Sequence, residues 1–212
     1  MLVAAKKEVV NDYLNMLSEL KLNTVLVDVD GFALENMWET VSGGNENVAL
    51  VDIGASKMNI NIISEGVSVL ARDIVVGSEQ LTEKIALELD VDYSDAEKIK
   101  LGAEEKNKDI DGVIKIFNQT CTQWVLEIKK AIDLYMANNP DKPLKSLVLS
   151  GGGSKVNGLS DYIKHETGLN VYSFNPFEKM TYDKNKFDPA YISLIGPEMA
   201  IAAGLAIRQS SI

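Results

Sequence analysis

The 212-residue chain contains one cysteine and one histidine, Cys121 and His165. A single cysteine cannot form a disulfide within the chain, and two such residues cannot supply the four ligands of a structural zinc site. This scarcity suits a protein of a reducing compartment. We expect Cys121 to be a small buried hydrophobic residue and His165 to be an exposed, chemically inert residue on a helix.

Basic residues are also scarce, because 21 Lys and Arg stand against 31 Asp and Glu and give a formal charge of -10. A nucleic-acid partner would require clustered basic side chains, so nucleic-acid binding is not expected. We find no run of about 18 apolar residues that would span a bilayer. The start "MLVAAKKEVV" becomes charged too early for a signal peptide. These features predict a cytoplasmic protein without direct membrane insertion.

The first part of the chain shows patterns typical of a small βαβ unit followed by a short helix. The predicted elements are, in order, Leu2–Ala5, Lys6–Leu20, Thr24–Val29 and Phe32–Thr40. The Gly- and Asn-rich stretch "SGGNEN" follows and indicates a linker. We therefore divide the chain into residues 1–42 and residues 43–212.

The second part shows three strand patterns, three helical patterns and then a strand, a glycine loop, a helix, a further strand and a last helix. The strands are predicted at Val48–Val51, Asn59–Ile63, Val67–Val75, Ser146–Leu149 and Asn170–Ser173. The helices are predicted at Ser78–Leu89, Ser94–Leu101, Val113–Ala137, Leu159–Glu166 and Pro197–Arg208, with "GAEEKNKDIDG" as a loop and an irregular segment before the last helix. This order predicts an α/β fold with a mixed sheet flanked by helices, a helical subdomain at about 78–140 and a glycine loop at 150–158.

The segment "VDIGASKMNI" places Asp52 and Gly54 between two predicted strands. Such a connection is either an ordinary hairpin turn or a place where backbone N–H groups converge on an anion beside a carboxylate. The residues of the segment leave both interpretations open.

The segment "LVLSGGGSKVNGLSDYI" runs from a strand through three glycines into a helix, an arrangement that lets a ligand approach bare backbone. A Rossmann fingerprint is excluded because Val156 stands at the third glycine position. A Walker A motif is excluded because Leu159 and Ser160 follow Gly158 where Lys and Ser or Thr are required. The alternative is a plain turn between strand and helix.

The segment "SDAEKIKLG" places Glu97 and Lys100 three residues apart, so both project from one face of a helix. The common interpretation of such a pair is a solvated ion pair. A ligand-binding role depends on the position of the pair after the "DIGAS" segment and before the three glycines.

The order of "VDIGAS", "GSEQLTEKIA", "AEKIKLG" and "LSGGGSKVNGL" resembles the second phosphate loop, the following helix, the ribose-facing helix and the adenosine loop of the actin-like ATPase superfamily, whose fold is ribonuclease H-like. The opening "LVAAKKEVVNDYLNML…VDVDGFALEN" and the tail "NPFEKM…IGPEMAIAAGLAIR" resemble the type IV pilus assembly protein PilM family. The similarity covers nearly the whole chain, from Leu2 to Arg208.

The resemblance implies a site for the phosphates of ATP and for Mg²⁺. The N–H groups of Gly54, Ala55 and Ser56 would face the β- and γ-phosphates. Asp52, the candidate catalytic residue, would hold Mg²⁺ through water or orient an attacking water. Met58 stands where relatives tend to have Thr, which removes one hydroxyl from this site.

The resemblance also implies a site for the nucleoside. Glu97 and Lys100 would meet the ribose. The bare backbone of Gly151, Gly152 and Gly153 would lie against the adenine and its sugar. Lys155 and Val156 would flank them.

The family resemblance implies a cytoplasmic, actin-like adaptor that is peripheral to the inner membrane and docks the N-terminal segment of PilN. The first subdomain of the family, with the first phosphate loop, would lie upstream of Met1. We therefore expect feeble binding of ATP and Mg²⁺, at most a weak ATPase activity, and possible association with the missing half or with a second copy. The alternatives are an FtsA-like cell-division protein, which would carry an amphipathic helix beyond "RQSSI", and an ATPase or sugar-kinase-like phosphotransferase.

Overall fold

The computed structural model describes residues 4–44, 46–103 and 109–208. The helices of these residues are α1 (Lys7–Glu19), α2 (Asp30–Ser42), α3 (Glu79–Leu89), α4 (Tyr93–Lys100), α5 (Ile110–Asn138), α6 (Leu159–Thr167), α7 (Pro189–Ile195) and α8 (Ala200–Ile207). The strands are β1 (Val48–Ile53), β2 (Met58–Ser64), β3 (Val67–Ile74), β4 (Ser146–Ser150) and β5 (Asn170–Ser173). Two 3₁₀ turns lie at Gly152–Lys155 and Gly196–Met199.

The five strands form one sheet in the order β3-β2-β1-β4-β5. Strands β1, β2 and β3 pair antiparallel, whereas β1, β4 and β5 pair parallel. The meander and the mixed sheet predicted from the sequence are thus confirmed. Because β1 and β4 end side by side, the hairpin after β1 and the glycine loop after β4 meet at one edge of the sheet.

Alternate residues of the central strands feed two cores, as expected for strands covered on both faces. On one face, Val51 packs with Trp124 and Cys121 of α5. On the other face, Leu50 packs with Leu34 of α2. Cys121 is fully buried, as predicted, and this burial raises the pKa of its thiol to about 12.

Helices α2 and α8 cross at very close range on the second face of the sheet. A Cβ atom added to Gly204 of α8 would stand 1.9 Å from the carbonyl oxygen of Ala33 in α2. The glycine therefore allows the two backbones to touch. Helix α2, which the sequence interpretation assigned to residues 1–42, lies against the sheet, and the division of the chain at residue 42 stays a prediction.

The predicted N-terminal βαβ unit is wrong in its second strand. The helix is present as α1, but Thr24–Val29 has no regular secondary structure. The side chains of this segment alternate in exposure, with Val25 and Val27 outward, yet no described strand pairs with its backbone. A strand pattern without a hydrogen-bonding neighbour does not make a strand. Of the predicted strand Leu2–Ala5, residues 4 and 5 have no strand structure and the others lie outside the described residues.

Two boundaries near helices also differ from the sequence interpretation. Ile110–Gly112, predicted as loop, belongs to α5, because the Asp109 side chain accepts a hydrogen bond of 2.9 Å from the Gly112 N–H and caps the helix. Within the same predicted loop, residues 104–108 lie outside the described residues. The predicted irregular segment contains α7, which Asp188 caps and Pro189 starts, and this is an ordinary helix-start signal.

The expectation that the chain lacks an apolar run of membrane-spanning length also needs correction. The helical stretch Pro189–Ile207 has a mean hydropathy of 1.6 and is long enough to cross a bilayer. The 3₁₀ turn at Gly196–Met199 interrupts it, and α8 packs on α2. Core helices of soluble proteins pass the same test of length and composition.

Candidate functional site

The hairpin turn between β1 and β2 is fastened to the start of α3. The carbonyl oxygens of Gly54 and Ala55 accept hydrogen bonds of 2.9 and 3.0 Å from the N–H groups of Ser78 and Glu79. A Cβ atom on Gly77 would stand 2.1 Å from the Ala55 oxygen, so this approach requires a glycine. The hairpin carbonyl oxygens thus accept hydrogen bonds from N–H groups that have no acceptor within the first turn of the helix.

The N–H of Gly54 donates to the carbonyl oxygen of Lys57 at 2.9 Å and closes the turn. This donor is therefore occupied by the hairpin itself, and the predicted contact between the Gly54 N–H and a phosphate is not supported. The N–H groups of Ala55 and Ser56 donate none of the backbone hydrogen bonds that connect turns and loops of the described residues. Their role toward phosphate stays a prediction.

Asp52 lies one residue before the end of β1, beside Ser150, which is its partner in the parallel register with β4. The Ser150 hydroxyl donates to Asp52 Oδ2 at 2.7 Å. Burial raises the pKa of Asp52, the Ser150 hydrogen bond lowers it, and the negative charge of Asp30 raises it further, with a net upward shift.

The surroundings of Asp52 do not form a cage for a directly bound Mg²⁺. The described residues contain no group of three His, Cys, Asp or Glu side chains placed to hold a metal ion. The positive charge near Asp52 comes instead from Lys57. A contact between Asp52 and Mg²⁺ through water stays a prediction.

The raised pKa of Asp52 gives a testable dependence of stability on pH. In the unfolded chain the Asp52 carboxyl ionises at its usual pKa of 3.8, whereas in the folded chain it ionises at a higher pH. The free energy of unfolding therefore falls as the pH rises from 3.8 through the folded pKa. We expect Asp52→Asn to stabilise the protein at neutral pH, since the amide can still accept from Ser150. The gain should disappear below pH 3.8, where both forms are uncharged.

Chemical denaturation of both proteins across this pH range measures the effect. Ser150→Ala serves as a control with the opposite expected effect. Loss of its hydrogen bond to Asp52 should lower the free energy of unfolding by about 1 kcal/mol at neutral pH. An Asp52→Asn protein that is less stable than the parent at neutral pH would show that the ionised carboxylate is favourably held.

Beside the hairpin lies a cavity of about 280 Å³. Five of the residues predicted from the sequence line it: Ala55, Glu97, Lys100, Gly152 and Lys155. Five further lining residues were not predicted: Ser78, Glu79, Tyr93, Leu101 and Glu198. The other predicted residues do not line it: Asp52, Gly54, Ser56, Gly151, Gly153 and Val156. The volume is near the lower limit of small-molecule pockets, about 300 to 1,000 Å³, and suits part of a nucleotide.

Glu97 and Lys100 form an ion pair of 2.7 Å in the wall of the cavity. The Lys100 side chain is only 4% exposed, so the pair is not the solvated one that such spacing commonly gives. Glu97 also accepts a hydrogen bond of 2.8 Å from Thr82. Partial burial acts to raise the pKa of Glu97, but the hydrogen bonds from Lys100 and Thr82 outweigh it and lower the pKa. Glu97 is 41% exposed and presents the carboxylate to the cavity.

The three glycines after β4 have different neighbours. A Cβ atom on Gly151 would lie 2.4 Å from the Ile53 carbonyl oxygen, and one on Gly153 would lie 2.4 Å from Ile53 Cγ2. These two glycines therefore allow the loop to pack against the end of β1. A Cβ atom on Gly152 would meet only Glu198 Cγ, at an ordinary contact distance of 3.8 Å, and Val156 is buried in the first core. Of the predicted adenosine loop, only Gly152 and Lys155 face the cavity.

Lys155 connects the glycine loop to the last helices. Its ammonium pairs with Glu198 and donates to the Leu194 carbonyl oxygen at 3.2 Å. Three carboxylates, those of Glu79, Glu97 and Glu198, thus share the cavity wall with two lysines that are already paired. Such a wall favours ligand groups that donate hydrogen bonds, such as hydroxyls, over phosphates.

The unpredicted residues differ in whether a local signal could have found them. Tyr93 precedes Glu97 by four residues and so lies on the same face of α4, which spacing alone indicates. Glu79 is the first residue of α3 and lies two positions after Gly77, so the glycine before the helix gives a local signal. Glu198 lies 43 positions after Lys155, and no local pattern connects the two.

The protein-family model described as "Type IV pilus assembly protein PilM" matches residues 1–210 of the chain. Among solved structures, the chain is similar to one titled "PilM-PilN type IV pilus biogenesis complex", with 25% identity and a TM-score of 0.82. The match covers 96% of this chain and 58% of the chain in that structure.

Two further structures share the fold. The ethanolamine utilization protein EutJ from Carboxydothermus hydrogenoformans matches with 18% identity and a TM-score of 0.67, over 96% of the chain and 62% of EutJ. MreB5 of Spiroplasma citri, solved with AMPPNP, matches with 14% identity and a TM-score of 0.64, over 96% of the chain and 65% of MreB5. The chain therefore spans less than two thirds of each of these structures.

Proposed function

Because the chain belongs to the type IV pilus assembly protein PilM family, we propose that it is a cytoplasmic adaptor of pilus assembly that binds the nucleoside part of ATP. It would dock the N-terminal segment of a PilN-like inner-membrane protein and so lie at the inner membrane through this partner. The observation that carries the proposal is the structural likeness, over nearly the whole chain, to the structure titled as a PilM-PilN complex.

Helix α1 offers the docking surface for the PilN-like segment. None of its 13 residues is buried. Three exposed apolar side chains of α1 and that of its C-cap residue repeat at helical spacing along one face: Val9, Tyr13, Met16 and Leu20. A soluble protein covers such a stripe with another element or a partner.

A labelled peptide of the cytoplasmic N-terminal segment of PilN from the same genome tests this docking by fluorescence anisotropy. Tyr13 is 64% exposed at the middle of the stripe. We expect Tyr13→Ser to weaken peptide binding by about 2 kcal/mol, roughly thirtyfold in Kd, since a central aromatic side chain commonly dominates an interface.

Asn11→Ser, on the opposite face of α1, is the matched control and should leave binding unchanged. An equal loss in both variants would contradict docking on this stripe. A PilN segment that binds neither this chain nor a longer protein containing it would contradict the adaptor function itself.

The cavity beside the hairpin is the proposed site of the nucleoside. Gly152 lines the cavity without a side chain, so its backbone can lie against a flat base, and the Glu97 carboxylate can accept hydrogen bonds from ribose hydroxyls. The two lysines in the cavity wall, Lys100 and Lys155, already pair with Glu97 and Glu198. Little positive charge therefore remains to bind phosphates. We infer that phosphate groups add little to the affinity of this chain and that it hydrolyses ATP negligibly.

Ligand-observed NMR titrations with adenosine and with ATP test this inference. We expect both ligands to bind more weakly than micromolar and with similar affinity. Glu97→Gln should weaken adenosine binding about tenfold or more, because a charge-assisted hydrogen bond is replaced by a neutral one. The exposed Glu83→Gln on α3 should change nothing. Micromolar or tighter binding of ATP without binding of adenosine would mean that the chain holds a complete phosphate site.

A further inference from the structure

Thr82 lies on the buried face of α3, next to the Glu97 side chain in the cavity wall. The Thr82 side chain is fully buried, and it is not among the residues that line the cavity. Its hydroxyl donates a hydrogen bond of 2.8 Å to Oε2 of Glu97, which belongs to the neighbouring helix α4. Thr82 therefore reaches the cavity only through the Glu97 carboxylate.

The Thr82 hydroxyl bonds to Glu97 in preference to its own helix. A threonine inside a helix can donate to the carbonyl oxygen four residues earlier. For Thr82 this acceptor is the Ser78 oxygen, which is 3.4 Å away, whereas Glu97 Oε2 is 2.8 Å away. A hydroxyl has one proton to donate, and an ionised carboxylate can only accept. The proton of Thr82 is therefore engaged by Glu97.

The Oε2 atom of Glu97 is held from two helices. The Lys100 ammonium, on α4 itself, lies 2.7 Å from the same oxygen, and the Lys100 side chain is buried. Thr82 and Lys100 thus occupy the acceptor sites of Oε2. Oε1 has no hydrogen-bond or ion-pair partner among the described residues. The carboxylate therefore has one oxygen fixed and the other free to accept from a ligand.

We propose that Thr82 is a positioning residue for nucleoside binding, which holds the Glu97 carboxylate with its free Oε1 available to the ligand. An ammonium is a compact charge without a preferred direction, so Lys100 alone would leave the carboxylate free to rotate. The second bond, from another helix, removes this freedom. A side chain that is ordered before binding does not have to lose conformational entropy when the ligand binds.

The inference rests on the proposed function, because it concerns adenosine binding in the same cavity. Ligand-observed NMR titration with adenosine tests it. We expect Thr82→Val, which has nearly the same shape but no hydroxyl, to weaken adenosine binding about fivefold. Thr82→Ala also lacks the hydroxyl and should show a similar loss. Thr82→Ser keeps the hydroxyl and should bind within about twofold of the parent chain.

Thr120→Val is the matched control. Thr120 is a buried residue of α5 that does not line the cavity, and its hydroxyl has no hydrogen-bond partner among the described residues. The change also removes a buried threonine hydroxyl, so adenosine binding should stay within about twofold of the parent chain. Thermal unfolding verifies that each variant is folded at the temperature of the titration.

The outcomes separate this inference from the proposed function. Folded Thr82→Val and Thr82→Ala proteins that bind adenosine as tightly as the parent chain would overturn the inference and leave the proposed function intact. An equal loss of affinity in Thr82→Ser or in Thr120→Val would also overturn it, because the loss would then not follow the hydroxyl that holds Glu97. A parent chain that does not bind adenosine would contradict the proposed function and this inference together.

Discussion

Gly204→Ala should destabilise the protein by about 3 kcal/mol, although the same change on an exposed helix normally stabilises by about 1 kcal/mol. The new Cβ would stand 1.9 Å from the Ala33 carbonyl oxygen, and a backbone atom cannot move aside as a side chain can. Helix α8 must then shift away from α2. The shift loosens the second core, which includes Leu34 and Met37 of α2 and Ala203 of α8.

Thermal and urea unfolding measure this loss. For a chain of this size, 1 kcal/mol corresponds to about 2 to 4 °C in Tm, so the melting temperature should fall by roughly 6 to 12 °C. Ala202→Ser, at an exposed position of the same helix, should stay within about 0.5 kcal/mol of the parent. A Gly204→Ala protein as stable as the Ala202→Ser control would mean that the helices do not touch in this way.

Gly151→Ala should destabilise by about 2 to 6 kcal/mol, whereas Gly152→Ala, one position later, should be nearly neutral. Gly151 has φ 79° and ψ 166°, a region that side chains essentially do not adopt and that costs about 1 to 3 kcal/mol. Its added Cβ would also lie 2.4 Å from the Ile53 carbonyl oxygen, which adds an overpacking cost of about 1 to 3 kcal/mol.

The Gly152 position has no such conflict, since the nearest atom to an added Cβ is Glu198 Cγ at 3.8 Å. The same pair of variants distinguishes packing from ligand binding. Gly152→Ala should preserve stability but narrow the cavity and weaken adenosine binding. Equal stability of the two variants would show that the loop does not depend on its approach to β1.

The periodicity of the sequence determined most of the elements. Apolar strand patterns predicted the meander and the two later strands, and the structure confirmed all five within a few residues. The helical pattern predicted the long helix α5, and the usual burial of free cysteine predicted that Cys121 is buried. These predictions succeed because burial on one face is repeated many times along a segment, so the pattern is redundant.

The sequence alone could not determine which strand patterns find a partner. Thr24–Val29 alternates in the same way as a strand but remains unpaired, because a strand is stabilised by hydrogen bonds to a neighbour that its own sequence does not encode. Helix α7 was not predicted from the sequence, although Asp188 and Pro189 are a typical signal for the start of a helix. The sequence around α7 is polar, and a helix of seven residues contains too few helical turns to be recognised from its apolar pattern.

At the site, the sequence determined which residue types were present, and the tertiary structure decided what each one does. The spacing of Glu97 and Lys100 fixed a shared helix face, but only packing made Lys100 buried. The three glycines were visible in the sequence, yet the approach of Ile53 decided that Gly152 alone faces the cavity. The pairing of Lys57 with Asp30 joins residues 27 positions apart. Local periodicity carries no information on such contacts, since they depend on how the hairpin and α2 meet across the sheet.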